Sequence, residues 1–287
     1  MHNPPHPEMY RDSLRAFLRE DWGTQDWTTG LLPDRPVVAR IVAKGDLVLA
    51  GGPMAAEVMA LVDPTVAVKR VALDGQGLTK GDLALRFEGS SRSILQAERV
   101  MLNLLQRLSG TATLTRAFVG ALAGTGAKVL DTRKTTPGLK LLEKYAVRCG
   151  GGMNHRLNLG DGVLVKENHI AAAGGLAAAV KAARSAAPNL IRIEVEVESL
   201  DQLKEALALA EVDGILLDNM DDATLSQAVA LRDASVQATG RRPFLEASGN
   251  LSLDRAPRVA ATGVDFLSVG ALTHSAPAAD LSLRIDG

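Results

Sequence analysis

A single cysteine, Cys149, is all the thiol chemistry available in a chain of 287 residues, so no internal disulfide framework can form and a reducing compartment suits the protein. Beside three glycines, Gly150 to Gly152, that cysteine reads as structural rather than as a nucleophile. Aromatic residues make up only 3%, and basic and acidic side chains balance at a formal net charge of -1. Base-stacking platforms and a broadly basic nucleic-acid surface are both excluded. No run reaches the roughly 18 apolar residues that a membrane span requires, and the opening MHNPPHPEMYRD lacks the apolar centre of a secretory leader. A cytoplasmic protein without a membrane partner is expected. His2 and His6 invite a metal reading, but among three prolines in a terminal tail they read as disordered.

What is present is an ordinary globular composition, 46% hydrophobic and 23% charged, with room for one large domain and a smaller one. The first hundred residues read as a small α+β unit. Leu14, Phe17 and Leu18 have helical spacing, and Trp22 and Trp27 follow as packing residues. Val37 to Ala43 and Leu47 to Ala50, separated by Lys44-Gly45-Asp46, look like a hairpin. Pro53 opens a helix to about Val62, and Val66 to Leu73 and Leu83 to Phe87 add strands. A further helix is announced by a Ser93/Gln96 capping box, with Val100, Met101, Leu104, Leu105 and Leu108 as its apolar stripe. Arg99, Asn103, Gln106 and Arg107 read from pattern alone as its solvated face, and a separate helix is expected at Leu114 to Leu122.

From Lys128 the pattern becomes periodic. Strand-like runs at Lys128 to Asp131, Gly162 to Val165, Ile191 to Val197, Gly214 to Leu217, Phe244 to Ala247 and Phe266 to Val269 alternate with helical segments. The helices are expected at Leu176 to Ala187, Leu200 to Ala210 behind a Ser199/Gln202 box, Asp222 to Ala238 and Ser252 to Ala261. Such alternation means a parallel sheet, and six units suggest a closed α/β barrel. Polar residues stand at each strand exit: Arg133 and Lys134, Lys166, Glu196, Asp218, Ser248 with Gly249, and Ser268 with Gly270. In a barrel these exits converge on one mouth. The amides of Ser248-Gly249-Asn250 and Ser268-Val269-Gly270 can cradle a phosphate. Glu194, Glu196 and Glu198 alternate along one strand and face one side, with Glu196 expected near the rim because the lumen cannot hold three unpaired charges.

The segment Val129 to Ile170 holds seven basic residues against four acidic ones, a local excess of +3 in a nearly neutral chain. Lys140, Glu143, Lys144 and Arg148 fit an exposed helix face. Arg133, Lys134, His155, Arg156 and Lys166 instead flank Thr, Gly and Asn in turn-like sequence, and fixed cations clustered there call for an anionic ligand.

The runs ERVMLNLLQRLSGTAT (Glu98 to Thr113), TRKTTPG (Thr132 to Gly138), YAVRCGGGMNHRLNL (Tyr145 to Leu159) and KENHI (Lys166 to Ile170) closely resemble the quinolinate phosphoribosyltransferase family, and LREDWGTQDWTT (Leu18 to Thr29) extends the likeness. The resemblance implies an N-terminal open-faced α+β sandwich over 1–112 and a C-terminal α/β barrel of fewer than eight strands over 113–270, with a tail, 271–287, that packs back on the sandwich. It implies transfer of a phosphoribosyl group from 5-phosphoribosyl 1-diphosphate to quinolinate with loss of carbon dioxide, Mg2+ as cofactor, and a homodimer with shared active sites. Arg99 would then cross into the partner's site, which replaces the solvated-face reading for Arg99 but not for Arg107. Arg99, Arg133, His155 and Arg156 suit the two carboxylates of quinolinate, and Lys134 and Lys166 the phosphate groups. Glu196 and Asp218 would hold ribose hydroxyls, directly or through Mg2+ carried by substrate or water. Three alternatives stay open: a decarboxylation-free nicotinate phosphoribosyltransferase, a Schiff-base aldolase using Lys134 or Lys166, and a non-catalytic phosphate-binding barrel.

Overall fold

The computed structural model describes residues 3–286, and His2 lies outside them. Along the chain the helices are α1 (Arg11–Trp22), α2 (Gly52–Val62), α3 (Ser91–Ala121), α4 (Lys140–Cys149), α5 (Glu167–Ala173), α6 (Leu176–Ala186), α7 (Leu200–Ala208), α8 (Asp222–Thr239), α9 (Ala256–Ala261) and α10 (Ala271–His274). The strands are β1 (Pro36–Ala43), β2 (Leu47–Val48), β3 (Ala67–Arg70), β4 (Gly77–Leu78), β5 (Leu83–Ser90), β6 (Lys128–Leu130), β7 (Val163–Val165), β8 (Ile193–Val197), β9 (Gly214–Asp218), β10 (Phe244–Ser248), β11 (Phe266–Ser268) and β12 (Leu281–Ile285). They form two compact units. One comprises residues up to Arg116, Lys134–Gly152 and the chain from Ala271; the other is Ala117–Arg133 with Met153–Gly270. The two helices expected around 93–108 and 114–122 are one continuous helix, α3.

In the first unit an antiparallel sheet runs in the order β12, β1, β5, β3. Ile41 sits between Leu85 and Leu283, and the alternation of Ala39, Ile41 and Ala43 buries one face of β1. That face joins a core with Leu14, Met54, Phe87, Met101 and Leu105. The expected hairpin of 37–43 with 47–50 is not made. Both edges of β1 are taken by longer partners, β5 and β12, while β2 pairs with β4. The cap of α3 is also shifted: the helix starts at Ser91, Ser90 Oγ accepts the Ser93 amide at 3.1 Å, and the Ser93 hydroxyl donates to Asp63 at 2.7 Å. Trp22 is half-buried and donates to Gln96 O at 2.9 Å, whereas Trp27, expected to pack, is 69% exposed. His6 is ordered, its Nδ1 accepting the Glu8 amide at 3.3 Å.

Two charge assignments are overturned here. α4 was expected to present Glu143 and Lys144 to solvent, yet both are buried. Arg107, expected on a solvated face, reaches Glu143 at 2.8 Å and Ala276 O at 3.0 Å, and also donates to Thr273 O. Glu143 in turn accepts from the Thr136 amide at 3.0 Å and its hydroxyl at 2.8 Å. Helical spacing puts a residue on a face, but it does not say which faces a second element will cover. Gly110 lies on α3 where the Pro277 carbonyl comes closest, and a Cβ there would run into it.

The second unit is a six-stranded parallel sheet in the order β6, β11, β10, β9, β8, β7, fewer than eight strands as expected and within two residues of the anticipated strand ends. All five residues of β8 are buried, as both faces of a parallel sheet require. Met153 adds a parallel bridge beside Leu130 at the β6 edge, and among the described residues no pairing of β6 with β7 closes the sheet. Ser199 Oγ caps α7 through the Gln202 amide at 3.3 Å, as expected, while Gln202 Oε1 accepts from Glu198 N, one residue before the cap, at 2.7 Å, so the reciprocal half of the box is not made to Ser199 itself. Phe244 lies opposite Gly214, whose missing side chain leaves the space the ring fills.

The two glycines of α3 give a test. Replacing a helical glycine by alanine ordinarily gains about 1 kcal/mol. That gain is expected for Gly120→Ala, which has open space around it, whereas Gly110→Ala should lose about 1–3 kcal/mol through the Pro277 clash. Urea unfolding of both variants measures the opposite signs.

Candidate active site

The register of the parallel sheet sets three of the expected residues side by side. Ser248 pairs with Asp218 on one side and Ser268 on the other, and Ser268 pairs with Leu130 of β6. Lys166 follows the last residue of β7 and forms an ion pair with Glu196 of β8. Glu196 is only 8% exposed; burial pushes its carboxyl above the ordinary range, and Lys166 opposes that shift. Glu198 is exposed, so the strand grades from a buried to a solvated carboxylate, with Glu196 toward the outer end as expected.

Deeper in the sheet stands a network the sequence reading did not find. Glu194 of β8 and Glu246 of β10 are 5% and 1% exposed. Burial, the leading cause for both, raises Glu194 to about 7 and Glu246 to about 8, and each pushes or holds the other through their shared proximity. Ser268 donates its hydroxyl to Glu246, so the Ser268 side chain turns inward while its backbone remains at the exit. The signal was visible in outline: a glutamate two residues before Ser248 in an apolar run is as unusual as Glu194 two residues before Glu196.

His155 completes the network. Its Nδ1 accepts the Arg156 amide at 2.7 Å, which leaves the proton on Nε2, 3.0 Å from Glu194 Oε2. The imidazole thus stands between the Arg156 amide and the Glu194 carboxyl, with Glu246 3.7 Å away. Asp131, fully buried at the end of β6, holds the same turn by accepting from Asn154 Nδ2 at 2.6 Å and the His155 amide at 2.9 Å. Neither Asp131 nor Asn154 stood out by pattern. Arg156 donates to Gly162 O at 2.9 Å, and burial together with the nearby charge of Arg133 draws its guanidinium below the ordinary value. A cavity of about 470 Å³ opens among Arg156, His155, Glu194, Glu246, Phe244 and Phe266.

His155, Glu194 and Glu246 offer donor atoms within 4.8 Å of one another, a spacing a metal ion could use. Arg156 on the same wall and Ser268 on Glu246 already supply the positive and donor partners that an ion would bring, so the trio reads as support for His155. At the other exits Asn219 Nδ2 donates to Asp218 at 2.7 Å, Gly249 and Asn250 have positive φ of 96° and 49°, and Gly270 leads into α10. Arg99 and Lys134 belong to the first unit; both side chains are exposed, and the Lys134 carbonyl accepts from Thr273 at 2.7 Å.

A parallel sheet that gathers a lysine, two arginines, acidic groups and Gly-bearing turns is an α/β fold of the enzyme type, with cationic groups suited to an anionic ligand. Comparison with known proteins narrows this. The description "Quinolinate phosphoribosyl transferase, N-terminal domain" matches residues 26–109 and its C-terminal counterpart matches 111–284, so the chain belongs to the quinolinate phosphoribosyltransferase family. The nicotinate-nucleotide pyrophosphorylase (carboxylating) of Mycobacterium leprae is 46% identical over 281 residues, covering 96% of each chain. The probable nicotinate-nucleotide pyrophosphorylase (carboxylating) of Bacillus subtilis is 43% identical over 95% of this chain and 92% of its own. The solved nicotinate-nucleotide pyrophosphorylase of Francisella tularensis superposes with a TM-score of 0.91 at 39% identity, covering 100% of this chain and 99% of that one.

The buried carboxyls set a pH dependence. Glu194 and Glu246 hold protons in the folded chain that the unfolded chain releases near the ordinary 4.5, so their contribution is fully present below that pH and is lost as pH rises through 7 and 8. The melting temperature of the native protein should fall between pH 5.5 and 8.5, and Glu246→Gln should flatten that fall while melting higher than wild type at the alkaline end. A parallel decline in the two proteins would contradict the assignment.

Proposed function

We propose that this chain transfers the phosphoribosyl group of 5-phosphoribosyl 1-diphosphate to quinolinate, releasing diphosphate and carbon dioxide and giving nicotinate mononucleotide for NAD synthesis. Family membership along nearly the whole chain supports the reaction. The observation that carries the site assignment is the cavity of about 470 Å³ lined by His155 and Arg156, with Arg133 near enough for its charge to act on Arg156. Guanidinium forks on one wall suit carboxylates, and a pyridine dicarboxylate brings two. His155 holds the Arg156 amide with Nδ1 and meets Glu194 with Nε2, and so orients Arg156 toward the substrate.

Lys166 and Lys134 serve the phosphate groups as point charges, and the amides around Ser248-Gly249-Asn250 and Gly270 serve the 5-phosphate. Glu196 and Asp218 hold the ribose hydroxyls. As the bond from the ribose carbon to diphosphate breaks, that carbon becomes cationic and the leaving oxygens anionic, so carboxylates on one side and lysines on the other both act electrostatically. The quinolinate nitrogen forms the new bond. The resulting pyridinium accepts the electron pair left by departing carbon dioxide, and a proton then replaces the carboxyl; no covalent link to the protein is needed. The Glu196 and Asp218 carboxylates also fit Mg2+, which takes oxygen ligands and keeps several from water or phosphate. When bound, the ion would neutralise diphosphate. A homodimer is proposed in which Arg99 serves the partner's site.

Release of labelled carbon dioxide from carboxyl-labelled quinolinate should require the ribosyl donor. Loss of one charge-assisted carboxylate clamp is worth about 1.5–3 kcal/mol, so nicotinate should bind more than about tenfold weaker than quinolinate. Release without donor, or equal use of nicotinate, contradicts the reading. For the shared site, mixing inactive Arg99→Ala with inactive Arg156→Ala subunits should restore activity, and verified heterodimers that stay inactive would exclude it.

A further inference from the structure

Arg255 lies outside every segment that the substrate reading uses, between the exit of β10 and the start of α9. Its guanidinium nevertheless reaches both neighbouring exit loops. Nη2 donates to the Met220 carbonyl at 2.7 Å, Nη1 to the Gly249 carbonyl at 3.4 Å, and Nε to the Asp222 carboxylate at 3.1 Å. Met220 and Asp222 follow Asp218 at the end of β9; Gly249 follows Ser248 at the end of β10. We propose that Arg255 is a positioning residue for the ribosyl-donor half of the site, clamping the Asp218 loop to the Ser248–Asn250 loop from behind.

The two loops meet where one clamp can act on both. Asn219 and Asn250 are the non-glycine residues with positive φ among the described residues, at 53° and 49°, one in each loop. Asparagine tolerates left-handed backbone better than other residues with a side chain, and here each one stands at a contact between the loops. The loops interlock: the Asn219 amide donates to Ser248 O at 2.9 Å, and Asn250 Nδ2 donates to Asn219 Oδ1 at 3.3 Å. Gly249 cannot carry a Cβ without striking the Asn219 side chain. Among the described residues Arg255 is the one charged side chain that donates to carbonyls of both loops. Its planar fork suits two divergent acceptors and a carboxylate at once, which a lysine cannot match. Arg258, its neighbour on the same side, meets only Asp222, at 3.1 Å.

The inference rests on the reading that Asp218 and Ser248–Asn250 hold the phosphoribosyl donor, and the test separates the two. Steady-state constants for 5-phosphoribosyl 1-diphosphate and for quinolinate are measured in wild type, Arg255→Met, Arg255→Lys, Arg258→Met and Asp218→Asn, with melting temperatures alongside. Arg255→Met should raise KM for the ribosyl donor by about tenfold or more while KM for quinolinate stays within about twofold, since misplacement of binding groups by a fraction of an ångström weakens only the ligand they hold. Arg255→Lys should fall between, and Arg258→Met should resemble wild type. Added guanidine should partly restore the donor KM of Arg255→Gly, an effect that a merely destabilised fold would not give. An unchanged donor KM, an equal rise for both substrates, or an identical defect in Arg258→Met overturns the clamp. If Arg255→Met does not fold, the lysine variant, which keeps the charge, decides by the same criterion. A raised donor KM in Asp218→Asn with none in Arg255→Met removes the clamp alone, whereas an unaffected Asp218→Asn removes the site reading and the clamp with it.

Discussion

Two carboxyl groups inside a parallel sheet impose the condition to which the rest of the second unit answers. Glu194 and Glu246 are too deeply buried to stay ionised without partners, and an unpaired charge there would cost several kcal/mol. The chain meets the condition with a hydroxyl from Ser268, the Nε2–H of His155 and the charge of Arg156. The price is a pair of acids held near neutrality. The return is that the His155 ring is held at both nitrogens and the Asn154-His155-Arg156 turn, further pinned by Asp131, stands in one orientation. Preorganised groups of this kind need not reorganise when charge develops in the reaction.

The strand exits work differently. Lys166 and Glu196 are paired to each other, so neither is a bare charge before substrate arrives. The turns after Asp218 and Ser248 are built on left-handed residues whose amides and carbonyls interlock across two strands. Flexible-looking residue types such as Asn and Gly are here part of a braced arrangement, in which a helix-flanking arginine adds to the bonds between the turns.

In the first unit an ion pair between half-buried Arg107 and buried Glu143 does comparable work. Arg107 and Glu143 join α3 and α4, and their remaining hydrogen-bonding capacity goes to Thr136 and to the carbonyls of Thr273 and Ala276. Each partner is thereby satisfied, as a buried pair must be. The close approach at Gly110 brings the segment after α10 against α3, and β12 then completes the antiparallel sheet.

Much of this was legible in the order of residues alone. Strands and helices of the second unit, the Ser199/Gln202 cap and the polar residues at six strand exits follow from periodicity and punctuation, because alternation of short apolar runs with amphipathic ones has one economical solution, a parallel sheet between helices. The motifs TRKTTPG and CGGGMNHR carried the family. What the sequence left undecided are quantities set by neighbours distant along the chain: that Glu143 and Lys144 go inside and Arg107 turns to meet Glu143, that β1 prefers β5 and β12 to a local hairpin, that Glu246 comes to meet Glu194, that His155 is held between Arg156 and Glu194, and that Arg255 reaches two loops at once. Spacing along a strand or helix determines which side chains share a face, since that is local geometry. Whether a face meets water, an apolar layer or an opposite charge depends on which element is laid over it, and only the folded chain decides that.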